Sequence, residues 1–303
     1  MQWIVSVFGL AILFLLAKGV RKQPIVSYRD VLLEDDLIAH ISALATRGTQ
    51  RGQGRIHIPA RMQQTLLRSV SVLNRYPQEE LLPAAGWLSD NGRFLQEMTA
   101  SLEIELKGSP LLPRDSGGEV RIFRFAKELI GHSNADLQVE TLQKAVSAWQ
   151  QREPMTVDEI NCLPLALKAA LLSVLHEMIL LCTQQQQEWG AAELFTKELQ
   201  QKHEAAAMRR FESCKHSTTF LERLLSLLRT SEEPIAVAWL DKHIASLNHQ
   251  TEQVAQLEHD RQTENRLWVG NAITSLRVVA NLPWHKLCEN MSLVHDELMH
   301  DSI

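Results

Sequence analysis

Apolar side chains recur at the spacing of an α-helix along most of this chain, and the pattern is sharpest at residues 268–280. With successive residues placed 100° apart around a helix axis, the apolar side chains of this stretch fall within an arc of about 140°. They are Trp268, Val269, Ala272, Ile273, Leu276, Val279 and Ala280. The other side carries Gly270, Asn271, Thr274, Ser275, Arg277 and Asn281. The stretch therefore predicts a helix with one buried face.

A proline separates this helix from a second amphipathic segment. The residue before a proline is biased away from the helical region, whereas proline itself is tolerated in the first turn of a helix. We therefore expect the chain to break near Leu282 and to start a new helix at Pro283. The apolar positions of that helix are Leu287, Met291, Val294 and Leu298. The polar segment 249–266 is predicted to run directly into the helix at 268–280.

The helical period continues through the other segments, so the predicted fold class is all-α. No segment alternates apolar and polar residues convincingly enough to indicate a strand. Residues 110–118, with the sequence PLLPRDSGG, concentrate helix breakers and predict a loop. The further predicted helices span residues 81–106, 121–132, 137–151, 155–182 and 235–247, with one or two more in 186–231.

The segment 155–182 is apolar enough to suggest a membrane span. Lys168, His176 and Glu177 would lie in the middle of that span, and each is costly in lipid. We favour a buried helix of a folded domain that begins near Pro164, with the membrane span as the alternative.

The N-terminal residues 1–17 have no charged side chain, and Lys18, Arg21 and Lys22 follow at once. A cleaved signal peptide would carry positive charge before its apolar region, so a signal anchor fits better. Extended by Gly19 and Val20, the segment is at the short end of what spans a bilayer. The positive charges after it predict that residues 21–303 stay in the cytoplasm. The alternative is a transit-type or merely adhesive N-terminus.

Residues 21–77 are interpreted as a membrane-proximal linker with short helices. Within it, residues 47–55, RGTQRGQGR, are rich in glycine and arginine and lack the Gly-Lys-Ser/Thr of a phosphate-binding loop. We interpret them as a flexible tether, with a patch for anionic lipid or an acidic partner as the alternative. Arg61, Arg68 and Arg75 recur every seven residues and predict a solvated helix face.

Charge and cysteine content exclude several classes of protein. The net charge of −5 gives no global attraction for phosphate, so we expect no nucleic-acid partner. Cys162, Cys182, Cys214 and Cys288 are scattered and lack the paired spacing of a zinc site. They are interpreted as reduced core thiols of a cytosolic protein.

No group of residues meets the requirements of a catalytic site, so we expect no catalytic residue, no cofactor and no metal in this chain. His176 and Cys182 are six residues apart and would lie on different faces of a helix. Asp35 and Asp36 lie in the predicted linker, and Asp115 and Ser116 suit a turn. Glu258, His259 and Asp260 are predicted to face solvent.

Several stretches, in order along residues 78–301, resemble the N-terminal region of the cyclic β-1,2-glucan synthases, large bacterial membrane glycosyltransferases. They are LLPAAGWLSDN (81–91), RIFRFAKELIGHSNADLQVETLQKAVSAWQ (121–150), MTVDEINCLPLALKAALLSVL (155–175), AVAWLDKHIASL (236–247) and ENRLWVGNAITSLRVVANLPWHKLCENMSLVHDEL (264–298). Family members carry similar stretches such as LPAAEWLLDN and ELIAHTDG. The chain departs from them at Gly118-Glu119-Val120-Arg121 and at Pro283-Trp284.

The resemblance implies an accessory role. Family members build β-1,2-glucan from UDP-glucose with a metal-dependent transferase domain and a phosphorylase-like region, and neither is present in these 303 residues. The predicted domains are a transmembrane anchor at 1–20, the linker at 21–77 and a helical domain at 78–303. The expected place is the inner (cytoplasmic) membrane, as a single-pass protein whose partner is a glycosyltransferase catalytic domain in the same or another chain.

Two further questions stay open at this point. A free-standing, membrane-anchored interaction scaffold is the alternative function. Trp149, Trp239, Trp268 and Trp284 are interpreted as core residues rather than glycan platforms. The candidate interaction residues are Trp268, Asn271, Ser275, Arg277 and Trp284.

Overall fold

A computed structural model describes residues 30–46, 48–200, 204–212, 216–231, 233–246 and 250–291 of the 303. Its first helices are α1 (Glu34–Ala45), α2 (Met62–Leu73), α3 (Pro83–Asp90), α4 (Gly92–Gly108), α5 (Arg121–His132) and α6 (Val139–Gln150). The remaining helices are α7 (Val157–Leu199), α8 (Glu204–Glu212), α9 (Thr218–Thr230), α10 (Pro234–Ser246), α11 (Thr251–Asn281) and α12 (Trp284–Met291). Strands β1 (Thr49–Gly54) and β2 (Leu112–Asp115) form one antiparallel pair. The fold of the described residues is all-α.

The C-terminal helices confirm the period-based prediction, except that Ala280, which was placed on the buried face, is exposed. α11 begins at Thr251 and runs unbroken to Asn281, so the polar segment does continue into the amphipathic one. The chain then breaks at Leu282, and α12 begins at Trp284. The segments at 121–132, 137–151 and 235–247 are also helical, with ends within a residue or two of those predicted. Residues 1–29 and 292–303, which include the predicted anchor and the second half of the last helix, lie outside the described residues.

The predicted helix at 81–106 is two helices, because Gly92 brings α4 against α2. A Cβ at Gly92 would lie 2.6 Å from Cγ1 of Val70, so only glycine allows this approach. Asn91 lies between α3 and α4 and donates its side-chain amide to the carbonyl of Trp87, 2.8 Å away. A backbone contact between helices, which periodicity does not report, therefore sets the break.

The prediction of a flexible tether at 47–55 is wrong, and the loop predicted at 110–118 is right only in part, because residues 112–115 form a strand. Residues 49–54 pair with residues 112–115, and Arg114 holds the pair by donating to the carbonyl of Gln53 at 3.0 Å. Outside this strand pair, α1 and α2 bury Ile41, Leu66 and Leu73 in the same hydrophobic core as residues after 77. The segment assigned to the linker is thus part of the packed body from residue 34 onward. Arg61, Arg68 and Arg75 are exposed, as predicted.

The central element is α7, which begins at Val157 rather than near Pro164. A reciprocal capping box starts it, in which the Thr156 hydroxyl accepts from the backbone N–H of Glu159 and the Glu159 carboxylate accepts from that of Thr156. Among the described helices, α7 alone is long and apolar enough to cross a membrane, but 72% of its most apolar window is buried within the protein. It serves as the core helix, with α5, α9 and α11 packed along it.

Pro164 lies inside α7 because another group replaces its missing hydrogen bond. Proline has no N–H to donate to the carbonyl four residues earlier, which here is that of Ile160. The thiol of Cys288 on α12 donates to this carbonyl at 3.4 Å. Burial raises the pKa of the Cys288 thiol, which keeps the proton that it donates. The packing of α12 thus permits the proline.

Two hydrophobic clusters share α7 and α11. The larger cluster contains residues of α1 to α6 and of the apolar part of α7 as far as Cys182. It also contains residues of α12 and of the second half of α11. The smaller cluster contains Ala192 and Leu199 of α7, residues of α8, α9 and α10, and Val254 of α11. Between them the buried side chains of α7 are polar, and Gln185 accepts from Asn265 of α11 at 3.1 Å. A buried polar layer therefore separates the two apolar clusters.

Candidate functional site

Helices α3 and α11 form a surface, here called the α3–α11 face, that combines exposed apolar groups with a fixed cation. The Trp87 ring, 40% exposed, lies beside Gly270, where an added Cβ would come 3.9 Å from its Cζ3 atom. Leu267, one turn earlier on α11 and 50% exposed, extends the apolar area. Arg277 donates to the Asn91 side chain and lies 5.3 Å from the centre of the Phe94 ring.

The candidate interaction residues do not all lie on this face. Trp268 is 3% exposed and belongs to the core, as does Trp149, which confirms the core interpretation for both. Trp284 is half-buried and donates its indole N–H to the carbonyl of Val279 at 2.7 Å. Of the five candidates, Arg277 alone is exposed.

Asn271 and Ser275 hold a turn inside the molecule. After α5 the chain passes through Asn134 and Ala135, and the backbone φ of both residues is 56°. Residues other than glycine rarely adopt this left-handed conformation. Asn271 donates to the carbonyl of Asn134 at 3.0 Å, and Ser275 donates to that of Ala135 at 2.7 Å. Ser275 was placed on the polar side of its helix but is 2% exposed, since its hydroxyl also accepts the N–H of Leu137.

The departure from the family at Gly118 to Arg121 leads into a buried ion-pair network. Gly118 has a φ of 82° and closes the turn after β2. Arg121, at the start of α5, donates to both oxygens of Glu159 at 3.0 and 2.9 Å and to Glu153 at 2.9 Å. Glu159 is also the capping residue of α7, so this network fixes the start of α5 against the start of α7.

Asp115 is the turn residue that the sequence predicts. Its Oδ1 accepts the N–H groups of Gly117 and Glu119, both at 2.9 Å, and Arg124 pairs with Oδ2. Burial raises the pKa of the Asp115 carboxyl, but the bonds from Arg124 and the two backbone N–H groups outweigh it, so its pKa lies below the usual value.

A second cluster joins α1 to α5 through His40, Glu128 and His132. The Nε2 atom of His40 lies 2.9 Å from Oε2 of Glu128, and Nε2 of His132 lies 3.6 Å from the same oxygen. Both imidazole rings are close, with centroids 4.6 Å apart in an edge-to-face arrangement. The Nδ1 atom of His132 is 2.8 Å from the backbone carbonyl oxygen of Asp30. Two imidazoles and a carboxylate are donors that suit a transition metal.

Sequence reasoning missed this cluster, although half of it was visible. Glu128 and His132 are four residues apart and therefore share a face of α5. His40 is 88 residues from Glu128, and only the packing of α1 on α5 brings it close. Scanning for Cys and His pairs alone overlooks a site with a carboxylate ligand.

Among the described residues, the others considered for chemistry do not assemble into a site. Cys162, Cys182 and Cys288 are buried free thiols, as predicted, while Cys214 lies outside the described residues. Glu258 is 1% exposed and paired with Arg261, so its predicted solvent exposure is wrong. Its neighbours His259 and Asp260 are exposed. Packing of α9 on α11 buries Glu258 beside the Thr219 hydroxyl, 3.3 Å away.

Comparison with known proteins gives one distant relationship. The chain is 21% identical over 233 residues to the cyclic β-(1,2)-glucan synthase NdvB of Rhizobium meliloti (strain 1021). The match takes in 73% of this chain but only 8% of the relative, so the chain spans a small part of that protein's length. No family model matches the chain.

Proposed function

We propose that this chain is a helical accessory region of a glycosyltransferase of the cyclic β-1,2-glucan synthase kind and performs no sugar transfer itself. The observation that carries the proposal is the match of most of the chain to 8% of such a synthase. Because the match leaves out the rest of that protein, we assign the transfer reaction to catalytic domains in the same polypeptide or a separate one.

The α3–α11 face is the surface that we assign to this partner. It is built from two of the segments that carry the resemblance, LLPAAGWLSDN and the helix that contains NAITSLR. Trp87 and Leu267 expose apolar area, and Arg277 is held in place by Asn91 and the Phe94 ring. Trp and Arg are among the residue types enriched in interface hot spots, and Leu267 adds apolar area beside Trp87.

Membrane attachment belongs to the same proposal. The predicted anchor at residues 1–20 would keep the helical body at the cytoplasmic side of the inner membrane, beside a membrane-bound partner. Neither nucleic acid nor a cofactor enters this scheme.

The test is complementation of a cyclic β-1,2-glucan synthase from which the matching segment has been deleted. The full-length tagged chain is co-expressed with the deleted synthase, membranes are solubilised, and copurification and glucan synthesis from UDP-glucose are measured. We expect the two chains to copurify. Absence of any complex would contradict the proposal, and capture of unrelated proteins instead would favour the free-standing scaffold.

Paired variants test the surface itself. Leu267→Glu puts a charge on the α3–α11 face and should reduce recovery of the synthase about tenfold, equivalent to about 1.4 kcal/mol. Leu257→Glu is the matched control, since Leu257 is 52% exposed on the same helix but points in another direction. Equal recovery with both variants would place the interface elsewhere.

A further inference from the structure

The cluster of His40, Glu128 and His132 has no role in the proposed accessory function, and its geometry is specific. We propose that these three residues bind a zinc-class divalent cation that fastens α1 to α5. The inference is independent of the partner, because it rests on contacts within this chain alone.

The spacing of the donor atoms suits a tetrahedral ion. Zinc bonds of about 2.0–2.2 Å place neighbouring ligand atoms about 3.3 Å apart around a tetrahedron. The two distances to Oε2 of Glu128, 2.9 Å from His40 and 3.6 Å from His132, lie close to that value. All three ligand atoms lie within 4.8 Å of one another. A bound ion would therefore need only small side-chain movements.

The hydrogen bond to Asp30 orients His132 as a ligand. A backbone carbonyl oxygen accepts but does not donate, so Nδ1 of His132 carries a proton in the 2.8 Å contact with Asp30. In the neutral ring, Nε2 then presents a lone pair to the Glu128 carboxylate, at a distance longer than a hydrogen bond. A cation between these two atoms would be bound by both. Second-sphere contacts of this kind commonly fix metal-binding histidines.

Burial and donor type indicate the ion and its access. The Glu128 and His132 side chains are 6% and 12% exposed, whereas that of His40 is 32% exposed and borders solvent. The fourth position of the ion would be filled by water on the His40 side. Two imidazole nitrogens with one carboxylate favour Zn²⁺ over Mg²⁺ or Ca²⁺, which prefer all-oxygen sites.

The structural consequence would fall on the N-terminal part of the body. The N–H of Leu32 donates to the carbonyl of His132 at 3.0 Å, so residues 30–32 already run across the end of α5. A metal bond from His40 would strengthen the attachment of α1 that its contact with Glu128 already provides. Binding of the cation should therefore make residues 30–45 more resistant to proteolysis and should slow their hydrogen exchange.

The experiment titrates the chelator-treated full-length chain with Zn²⁺ by calorimetry and with Co²⁺ by visible absorption. We expect one strong equivalent and the absorption of a four-coordinate Co²⁺ ion. His40→Gln and Glu128→Gln should each weaken binding about tenfold or more. His285→Gln is the matched control, because His285 forms a similar pair with Glu289 on the exposed face of α12, and no third ligand lies beside that pair among the described residues.

Two results would overturn the proposal. The first is the absence of a strong equivalent in the wild-type chain. The second is unchanged affinity in both His40→Gln and Glu128→Gln. Circular dichroism of each variant tests whether the fold persists, and His40→Gln is the safer variant because the His40 ring is partly exposed. A rise in melting temperature with Zn²⁺ in the wild type that is absent in His40→Gln completes the assignment.

Discussion

Some polar side chains of this protein stabilise its fold through hydrogen bonds that the sequence pattern does not predict. Ser275 and Asn271 lie on the polar side of a helical wheel, yet both bond to the turn after α5, and Ser275 is fully enclosed. The turn needs them because two successive residues there have positive φ values. A helical wheel reports only direction from one axis, so it cannot identify a polar side chain that faces a neighbouring turn.

Arg121 is expected to be the most sensitive ionic residue of the larger cluster. Its side chain is 5% exposed and that of its partner Glu159 is 1% exposed. Arg121→Met removes the positive charge that pairs with the buried Glu159 carboxylate. It should lower the free energy of unfolding by about 3–5 kcal/mol. Urea denaturation monitored by circular dichroism gives this value.

A matched variant separates burial from the loss of a charge. Arg93 forms an i,i+4 pair with Glu97 that is almost wholly exposed, so Arg93→Met should change stability by less than about 0.5 kcal/mol. Arg121→Met/Glu159→Gln removes both charges but keeps the capping bonds, and it should recover part of the loss. Equal costs for Arg121→Met and Arg93→Met would contradict the ion-pair account.

The lowered pKa of Asp115 predicts acid sensitivity at the turn after β2. Because the folded-state pKa of this carboxyl is lowered, its contribution to stability is present above the unfolded value of about 3.9 and is lost as the pH falls through the lower folded value. Asp115→Asn should therefore destabilise the protein at pH 7, and the difference from wild type should shrink below about pH 4.

Urea midpoints at several pH values between 3 and 7 measure this difference. The control is Asp260→Asn, which alters an exposed carboxylate on α11. A constant difference between Asp115→Asn and wild type over the whole range would show that the charge of Asp115 is not responsible.

At the scale of elements, contacts between helices determine where helices end and where a helix tolerates a proline. α7 contains Pro164 because Cys288 of α12 supplies the donor that the proline lacks. The junction of α3 and α4 lies at Asn91 because Gly92 packs on Val70. Both features depend on residues distant in the sequence.

Gly92→Ala tests the close approach of α4 to α2. The added methyl group would lie 2.6 Å from Val70, whose β-branched side chain is buried and has little rotamer freedom. We expect a loss of about 1–3 kcal/mol in the free energy of unfolding, measured by chemical denaturation.

Two comparisons give this prediction its control. Gly108, at the end of α4, has open space where a Cβ would lie, so Gly108→Ala should leave stability unchanged or slightly higher. In Gly92→Ala/Val70→Ala the smaller neighbour makes room, and the double variant should lose less than the sum of the single losses. Strict additivity would argue against a direct clash.

At the scale of the whole molecule, the described residues form two apolar clusters on one pair of long helices, separated by buried polar side chains. This arrangement predicts that the smaller cluster opens before the larger one. Leu224→Ala removes a fully buried side chain from the smaller cluster and should cost about 2–5 kcal/mol locally. Hydrogen exchange should rise in α9 and α10 while α5 and α6 remain protected.

Leu171→Ala is the counterpart in the larger cluster, where Leu171 is also fully buried. It should increase exchange in α5 and α7. If Leu224→Ala increases exchange equally throughout the described helices, the two clusters form one cooperative unit and the polar layer does not divide them.

The sequence by itself determined the all-α class, the positions of most helices and the burial of Trp149, Trp268 and three cysteines. Helical periodicity is a local property, and a face of apolar residues must be buried whatever it packs against. Tertiary structure alone decided the pairing of β1 with β2, the burial of Glu258 and Ser275, and the meeting of His40 with Glu128 and His132. Each of these depends on contacts between residues far apart in the chain, and no local pattern encodes such a contact.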